Sequence, residues 1–478
     1  MPIVIMKFGG SCLVNDKAFN KIYEISILYK DSKKLYVASA FNGITDLLLN
    51  TAHLIKENGR SDIDKNIAIL EKRHIDVIEE IIPEDTLNYR RAKDWIDKKL
   101  SELDDVFADI QEFGLEPYYI DYVSSFGEIL STYILSEYLQ SKGLDAVYIP
   151  ANKIIITNDN YNNAYPLYEL TNNRIRDKII PVLETEAKNF IFCVTGFIGR
   201  NKIGYITTLG RGGSDYTATI LARSLYEVGI DKDIKVILWK DVDGLLAINP
   251  KYVPNSSLIK HIDYNEAKEI ANFGAKVLHP KCLEALEKNK IPLEIRNFDN
   301  PEEEVNYTRI SDITDIKEIK GVSAIEEATI ITIISGSMVD VPGVLAKIFK
   351  LMAKNEISVS LVSQSASEIS TSFVVKNEDA QKAISALMNS KYFKDFFKIK
   401  SEDVAVINIT GSKILENRTK TTIFEAMDKK GVNVKAISQS FEELNLSLVI
   451  DRSKLIDAIQ AIHNELCENF DTGMCLDS

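Results

Sequence analysis

The last third of the chain repeats itself without a gap. Residues 348–375, IFKLMAKNEISVSLVSQSASEISTSFVV, align with residues 423–450, IFEAMDKKGVNVKAISQSFEELNLSLVI, at an offset of 75. An internal repeat restricts a chain more than composition does, because each copy must adopt the same supersecondary unit. Each copy reads as helix, turn, strand, a polar Ser-Gln-Ser turn and a second strand. A preceding strand, at Thr329 to Ser335 and Val404 to Thr410, and a trailing helix complete a ferredoxin-like βαββαβ unit. Two such units can pair and hold a small ligand between them. The expected boundaries are 327–398 and 399–478. Residues 299–326 are a linker and strand, placed on a polar stretch with Pro301 and the acids Glu302 to Glu304.

Residues 1–298 have a different pattern. Strand-like runs at Ile3 to Phe8, Leu35 to Ala40, Ala146 to Ile149, Phe190 to Thr195, Val236 to Trp239 and Leu293 to Arg296 alternate with helical patterns. Residues 46–115 read as mainly helical. The expected class is α/β, a mostly parallel sheet between helix layers. Ligands of such sheets sit beyond the carboxyl ends of the strands. Four polar turns follow strands in that way: Gly9-Gly10-Ser11, the Ser39 turn, the Gly210 loop, and Asp241-Val242-Asp243-Gly244.

The Gly210 loop is the strongest of these. Gly210, Arg211, Gly212 and Gly213 stand between a strand-like run, Ile203 to Leu209, and a helix expected over Tyr216 to Leu225. Glycines let backbone N–H groups converge, and a helix start adds positive potential, so the loop suits an anion. An ordinary strand-to-helix turn with Ser214 or Asp215 as N-cap fits equally. Lys7, at the end of the first strand, can reach a phosphate or stay solvated. No GxxxxGK[ST] loop occurs. Ser125 and Glu128 form a capping-box pattern at an expected helix start, which alone would account for Glu128.

Net charge is −13, with no run of basic residues, which argues against nucleic acid and anionic membranes as partners. Five cysteines with irregular spacing and no CxxC suit reduced thiols in a cytoplasm. The five histidines make no metal-ligand pattern, so structural zinc is not expected. Neither a signal peptide nor a membrane span is expected.

KFGG at 7–10, SA at 39–40 with Thr45, FGE at 126–128, GF at 196–197, GRGGSDYTA at 210–218, DVDG at 241–244 and FGAKVLHP at 273–280 follow in order. In this order the chain resembles the aspartokinases: an amino acid kinase fold followed by two ACT-type regulatory domains. The resemblance implies ATP- and Mg²⁺-dependent phosphorylation of the side-chain carboxylate of L-aspartate to 4-phospho-L-aspartate, on the way to lysine, threonine and methionine. A carboxylate with a reference pKa of ~3.9 is already ionised, so no general base is needed. Positioning and charge stabilisation remain.

By resemblance, Lys7 contacts phosphates, Gly9, Gly10 and Ser11 give backbone donors, and Lys276 approaches the nucleotide. Asp215 orients these cations or helps hold Mg²⁺. Arg211 clamps the α-carboxylate and Glu128 meets the α-ammonium. Ser39, Thr45, Phe197 and Ser214 complete the substrate pocket. Lys240, Asp241, Leu246 and Lys251 line the nucleotide side. There the chain departs from the family: Lys240 replaces a usual threonine, and Leu246, Asn249 and Lys251 replace a tyrosine, an aspartate and an arginine. Ser11-Cys12 also depart from the usual threonine.

Met338, Val341, Ser360, Gln364 and Gln439 make the implied effector set. Ser360 stands where lysine-sensitive members carry an acid. The Ser363-Gln364-Ser365 turn and its repeat Ser438-Gln439-Ser440 look more like threonine-sensitive members, although turn capping would also explain them. The second repeat lacks the usual Gly-rich loop, so a structural role is open for it. The ACT units are expected to pair subunits into a homodimer or homotetramer. No dinucleotide fingerprint follows, so a fused homoserine dehydrogenase is not expected. A kinase of another small acid, such as N-acetylglutamate, and a catalytically weak amino-acid sensor are the alternative readings.

Overall fold

The computed structural model describes residues 2–55, 60–185, 190–230, 233–272, 277–302, 304–312, 318–335, 340–394, 397–439 and 444–467. It divides into two compact units. The first comprises Met1–Leu245, Leu258–Tyr264 and Val277–Ile313; the second comprises Leu246–Ser257, Asn265–Lys276 and Thr314–Ser478. The expected first domain, 1–298, is thus interrupted by two segments that belong to the second unit.

The strands of the first unit are β1 (Ile3–Phe8), β2 (Lys33–Ala38), β3 (Ala146–Ile149), β4 (Ile191–Thr195), β5 (Ile198–Arg200), β6 (Ile206–Thr208), β7 (Ile234–Lys240), β8 (His261–Ile262), β9 (Leu293–Asn297) and β10 (Thr308–Ile310). Eight form one sheet in the order β3-β4-β2-β1-β7-β9-β10-β8. The run from β3 to β9 is parallel; β10 enters antiparallel to β9. β1 is buried along its whole length, as a central parallel strand must be.

The helices of the chain are α1 (Asp16–Leu28), α2 (Ile44–Leu54), α3 (Arg60–Ile81), α4 (Leu87–Phe113), α5 (Pro117–Ser141), α6 (Tyr168–Lys178), α7 (Ile180–Thr185), α8 (Gly213–Val228), α9 (Tyr264–Asn272), α10 (Pro280–Glu287), α11 (Val344–Lys354), α12 (Asn377–Met388), α13 (Asn417–Lys429) and α14 (Leu455–Cys467). Helices α1 to α5 share one apolar core with β1 and β2, built on residues such as Phe8, Phe19, Tyr36, Phe107 and Tyr138.

Three local expectations change. The capping box does not form: α5 begins at Pro117, so Ser125 and Glu128 lie in mid-helix, and Ser125 Oγ donates back to Tyr122 O at 2.6 Å. The helix is already nucleated two turns earlier, which leaves the Glu128 carboxylate without a capping task. The run Ile203 to Leu209 is half of a hairpin, β5 with β6, separate from the main sheet. α8 is capped by Gly212 in the left-handed region, so Ser214 and Asp215 lie inside its first turn rather than at its cap. The stretch 299–326, expected as a linker and strand, contains β10.

In the second unit, β11 (Gly321–Ile334), β12 (Leu361–Gln364), β13 (Ser370–Lys376), β14 (Lys398–Thr410), β15 (Val434–Ser438) and β16 (Asn445–Asp451) form one antiparallel sheet, ordered β12-β13-β11-β14-β16-β15. β11 and β14 serve both repeats. Residues 328–334 of β11 pair with β13 and with the first half of β14; residues 321–325 pair with the second half of β14. One flanking strand of the second repeat therefore comes from chain that precedes the first repeat. Alternation along β11 sends Ile331 and Ile333 to a core with Ile348 and Phe373, and Ala328 and Ile330 to the opposite face with Val374 and Val449.

Candidate active site

β1 and β7 are parallel neighbours with Phe8 opposite Trp239, so Lys7 and Lys240 emerge at the same edge of the sheet. The first turn of α8 inserts Asp215 between them. Lys7 Nζ lies 2.9 Å from Asp215 Oδ1 and Lys240 Nζ lies 2.7 Å from Oδ2. Lys7 and Asp215 are only 7% and 5% exposed. Burial alone would pull the Lys7 ammonium down, but the charge and hydrogen bond of Asp215 outweigh it and the lysine titrates above its usual range. Burial would likewise raise Asp215, yet the two ammonium groups hold it below the usual carboxylate range. One carboxylate against two ammonium groups leaves one positive charge at a nearly closed site, which is a place for an anion.

The glycines beside it have packing reasons. A Cβ on Gly10 would lie 2.5 Å from Asn42 Oδ1 and 2.8 Å from Ala40 O; only a hydrogen fits. The Gly9-Gly10 turn is thereby pressed against the turn after β2. On the far side of that turn, a Cβ on Gly127 would lie 2.7 Å from Ala40 Cβ, with Thr45 Oγ1 at 3.7 Å. Ser131 Oγ donates to Ser39 O at 2.7 Å. So β1, the Ser39–Thr45 turn and α5 converge.

Glu128 faces this junction from α5 and is 4% exposed. Burial pushes its carboxyl up to about 8, against the pull of the Ala40 N–H, its own N–H, Lys7 and the Ser214 hydroxyl. Its Oε2 has no hydrogen-bond partner among the described residues. Phe197 adopts a left-handed φ of 69°, held by its N–H donating to Thr217 Oγ1 at 2.9 Å. A Cβ on Gly196 would strike Ser214 Oγ at 2.6 Å, so the Phe197 turn lies against the start of α8.

Arg211 is exposed between Gly210 and Gly212, at φ 78° and 72°. Among the described residues no carboxylate pairs with it. Burial, then Lys281 and Arg211, lower the His279 imidazole, while Asp215 acts on the same ring with opposite sign. A Cβ on Gly212 would lie 2.9 Å from His279 Cβ, so the turn that carries Arg211 packs against His279.

Lys7, Ser39, Thr45, Glu128, Phe197, Arg211, Ser214, Asp215 and Lys240 thus gather around the carboxyl edge of β1, β2 and β7. Asp241 follows β7 and is exposed. Leu246 and Lys251 fall in the second unit, where Lys251 Nζ pairs with Glu326 at 2.6 Å. Lys276 and Met338 lie outside the described residues. In the second unit Val341 and Gln364 are exposed, Ser360 Oγ donates to Val374 O at 3.3 Å, and Gln439 Nε2 is buried without a partner among the described residues. Sequence reasoning missed the contributions of Thr217, Ser131 and Asp121. Asp121 carried no readable signal: the helix start expected at Ser125 left it outside the helix, and only α5 beginning at Pro117 places it two turns before Glu128 on the same face.

The chain belongs to the amino acid kinase family, whose profile matches residues 2–297, and two ACT domain matches follow at 331–390 and 407–466. Its curated relatives include aspartokinases. Aspartokinase 1, chloroplastic, of Arabidopsis thaliana is 30% identical over 99% of this chain and 81% of its own length. A bifunctional aspartokinase/homoserine dehydrogenase of Buchnera aphidicola is 31% identical over 97% of this chain, which spans 56% of that protein. A crystal structure of E. coli aspartokinase III in complex with aspartate and ADP is 25% identical, with a TM-score of 0.79 over 97% of this chain and 99% of that one. No described helix is long and apolar enough to cross a membrane.

Proposed function

We propose that the chain is an aspartokinase: it transfers the γ-phosphoryl group of ATP to the side-chain carboxylate of L-aspartate. A carboxylate oxygen forms the new P–O bond, the bond to the β-phosphate oxygen breaks, and ADP and 4-phospho-L-aspartate leave. The observation that carries this is the Lys7–Asp215–Lys240 cluster, with its uncompensated positive charge, beside the buried Glu128 carboxyl and the exposed Arg211. Two negative reactants must approach each other, and the ammonium groups of Lys7 and Lys240 offset that repulsion. The amides of Gly9, Gly10 and Ser11 assist on the phosphate side.

Glu128 takes the α-ammonium and Arg211 the α-carboxylate, a pairing that selects a free amino acid over an acylated one. Ser39, Thr45 and the Phe197 turn enclose the side chain, and Ser214 holds the Glu128 carboxyl. Mg²⁺ supplies charge neutralisation to ATP phosphates in such transfers. Both Asp215 oxygens already face lysines. A protein-held Mg²⁺ at Asp215 therefore fits poorly, and no step here runs through it.

The tandem repeats support regulation by a free amino acid, threonine and/or lysine, with pairing into a dimer or tetramer. A coupling of roughly 1–3 kcal/mol between effector and substrate is expected. Three free buried thiols, Cys12, Cys193 and Cys282, support a reducing, cytoplasmic setting. The test is Mg-ATP turnover trapped as the hydroxamate with L-aspartate, L-glutamate and N-acetylglutamate, each with and without threonine and lysine. Turnover with L-aspartate alone supports the reading; none with L-aspartate overturns it.

A further inference from the structure

α5 carries a second buried carboxylate that the proposed chemistry does not use. Asp121 is 0% exposed and lies seven residues before Glu128 on the same helix. Seven residues are close to two full turns, so both carboxylates leave the same face about 10 Å apart along the axis. Glu128 meets the Ser39–Thr45 side; Asp121 reaches a different pair of segments.

Its hydrogen bonds come from two places in the chain. Oδ1 accepts from Asn162 N–H at 2.9 Å and from Thr208 Oγ1 at 2.9 Å. Oδ2 accepts from Thr208 N–H at 2.7 Å and from Asn162 N–H at 3.1 Å. Burial pushes the carboxyl up to about 6 against these donors, so at neutral pH it is ionised and can only accept. A buried charge held by neutral donors alone is costly to keep in a fold. Here it ties both segments to α5.

Both segments lead to the arginine. Thr208 ends β6 and stands three residues before Arg211. Ala164 N–H donates to Thr208 O at 2.9 Å, fastening the second segment to the first. Asn162 has a left-handed φ of 64°, and its carbonyl faces Gly210: a Cβ there would lie 3.0 Å from Asn162 O and 2.9 Å from Asn163 Oδ1. The Gly210–Gly212 turn is therefore shaped by a segment whose own position is set by the Asp121 carboxylate.

We infer that Asp121 is a positioning residue that fixes the Gly210–Gly212 turn, and through it the angle at which Arg211 meets the α-carboxylate of the amino-acid substrate. The inference rests on the aspartokinase reading for its substrate but not for its geometry. α5 then sets both ends of the amino acid: Glu128 by contact with the ammonium, Asp121 by holding the loop that carries the guanidinium.

The test uses the full chain with Asp121→Asn, Thr208→Val and Thr208→Ser. Asp121→Asn turns an NH₂ toward donors, and Thr208→Val removes the hydroxyl donor alone. For both, the aspartate KM rises at least about tenfold while the ATP KM changes less than about twofold, with Thr208→Ser near the parent. Hydrogen exchange gives a readout free of activity. In Asp121→Asn the peptides around 160–166 and 206–213 exchange faster together, while the β1 peptide keeps its protection. If Asp121→Asn fails to fold, Thr208→Val against Thr208→Ser carries the same comparison. Equal rises in both KM values, or unchanged exchange at 206–213, would overturn the assignment. An inactive parent protein would sink the aspartokinase reading instead, and the exchange result would still judge the latch.

Discussion

Glu128 couples substrate binding to a proton, and the coupling can be sized. Burial holds its carboxyl at about 8 in the free protein. At pH 7 only about one-tenth of such a group is ionised. If the ionised form is the one that pairs with the ammonium of aspartate, the apparent aspartate KM at pH 7 stands about tenfold above its value near pH 9. A plot of log KM against pH should fall with slope near −1 up to about pH 8 and then flatten. Binding at pH 7 should release roughly 0.9 proton per aspartate, measured by calorimetry in two buffers of different ionisation enthalpy. Glu128→Gln should abolish both the slope and the release. A flat profile in the parent protein, or proton uptake on binding, would refute the reasoning. The same shift affects stability. A carboxyl raised above its unfolded value of 4.5 favours the folded state only while protonated, so stability falls as pH rises from about 4.5 to 8. Glu128→Gln should therefore be more heat-stable than the parent at about pH 8–9, with the gap closing toward about pH 5.

Asp215→Asn leaves two close ammonium groups without their counter-charge; it should cost about 3–5 kcal/mol of stability in denaturant titration, with part recovered by adding Lys240→Met. Lys240→Met alone removes the surplus positive charge, so the ATP KM should rise several-fold while the aspartate KM holds; an unchanged ATP KM would remove Lys240 from the phosphate side. Arg211→Lys loses the bidentate fork and should raise the aspartate KM by roughly 10–100-fold without changing the melting temperature, because Arg211 is exposed. Gln364→Ala should weaken threonine inhibition at unchanged basal turnover; identical inhibition curves would count against a threonine site there.

Much of this protein was legible in its residues. The ungapped repeat foretold two copies of one supersecondary unit, and β1 and β3 were bounded correctly from apolar runs alone, because side-chain burial on a parallel strand is a local pattern. The Gly210–Gly213 cluster announced a strand-to-helix turn that needs glycine's backbone freedom, and positive φ at Gly210 and Gly212 is where that freedom is used. Other features needed the folded chain. Whether Ser125 and Glu128 cap a helix or sit inside one depended on where α5 started, and Pro117 decided that eight residues before Ser125. The crossing of β11 and β14 between the repeats depended on strand pairing between residues far apart in the chain. The ion cluster required β1 and β7 to be neighbours, and the Asp121 latch required two distant loops to meet one helix face. Hydrophobic period and backbone freedom act between near neighbours, so the sequence displays them directly. Ion pairs and buried hydrogen bonds form between segments that only the sheet order brings together.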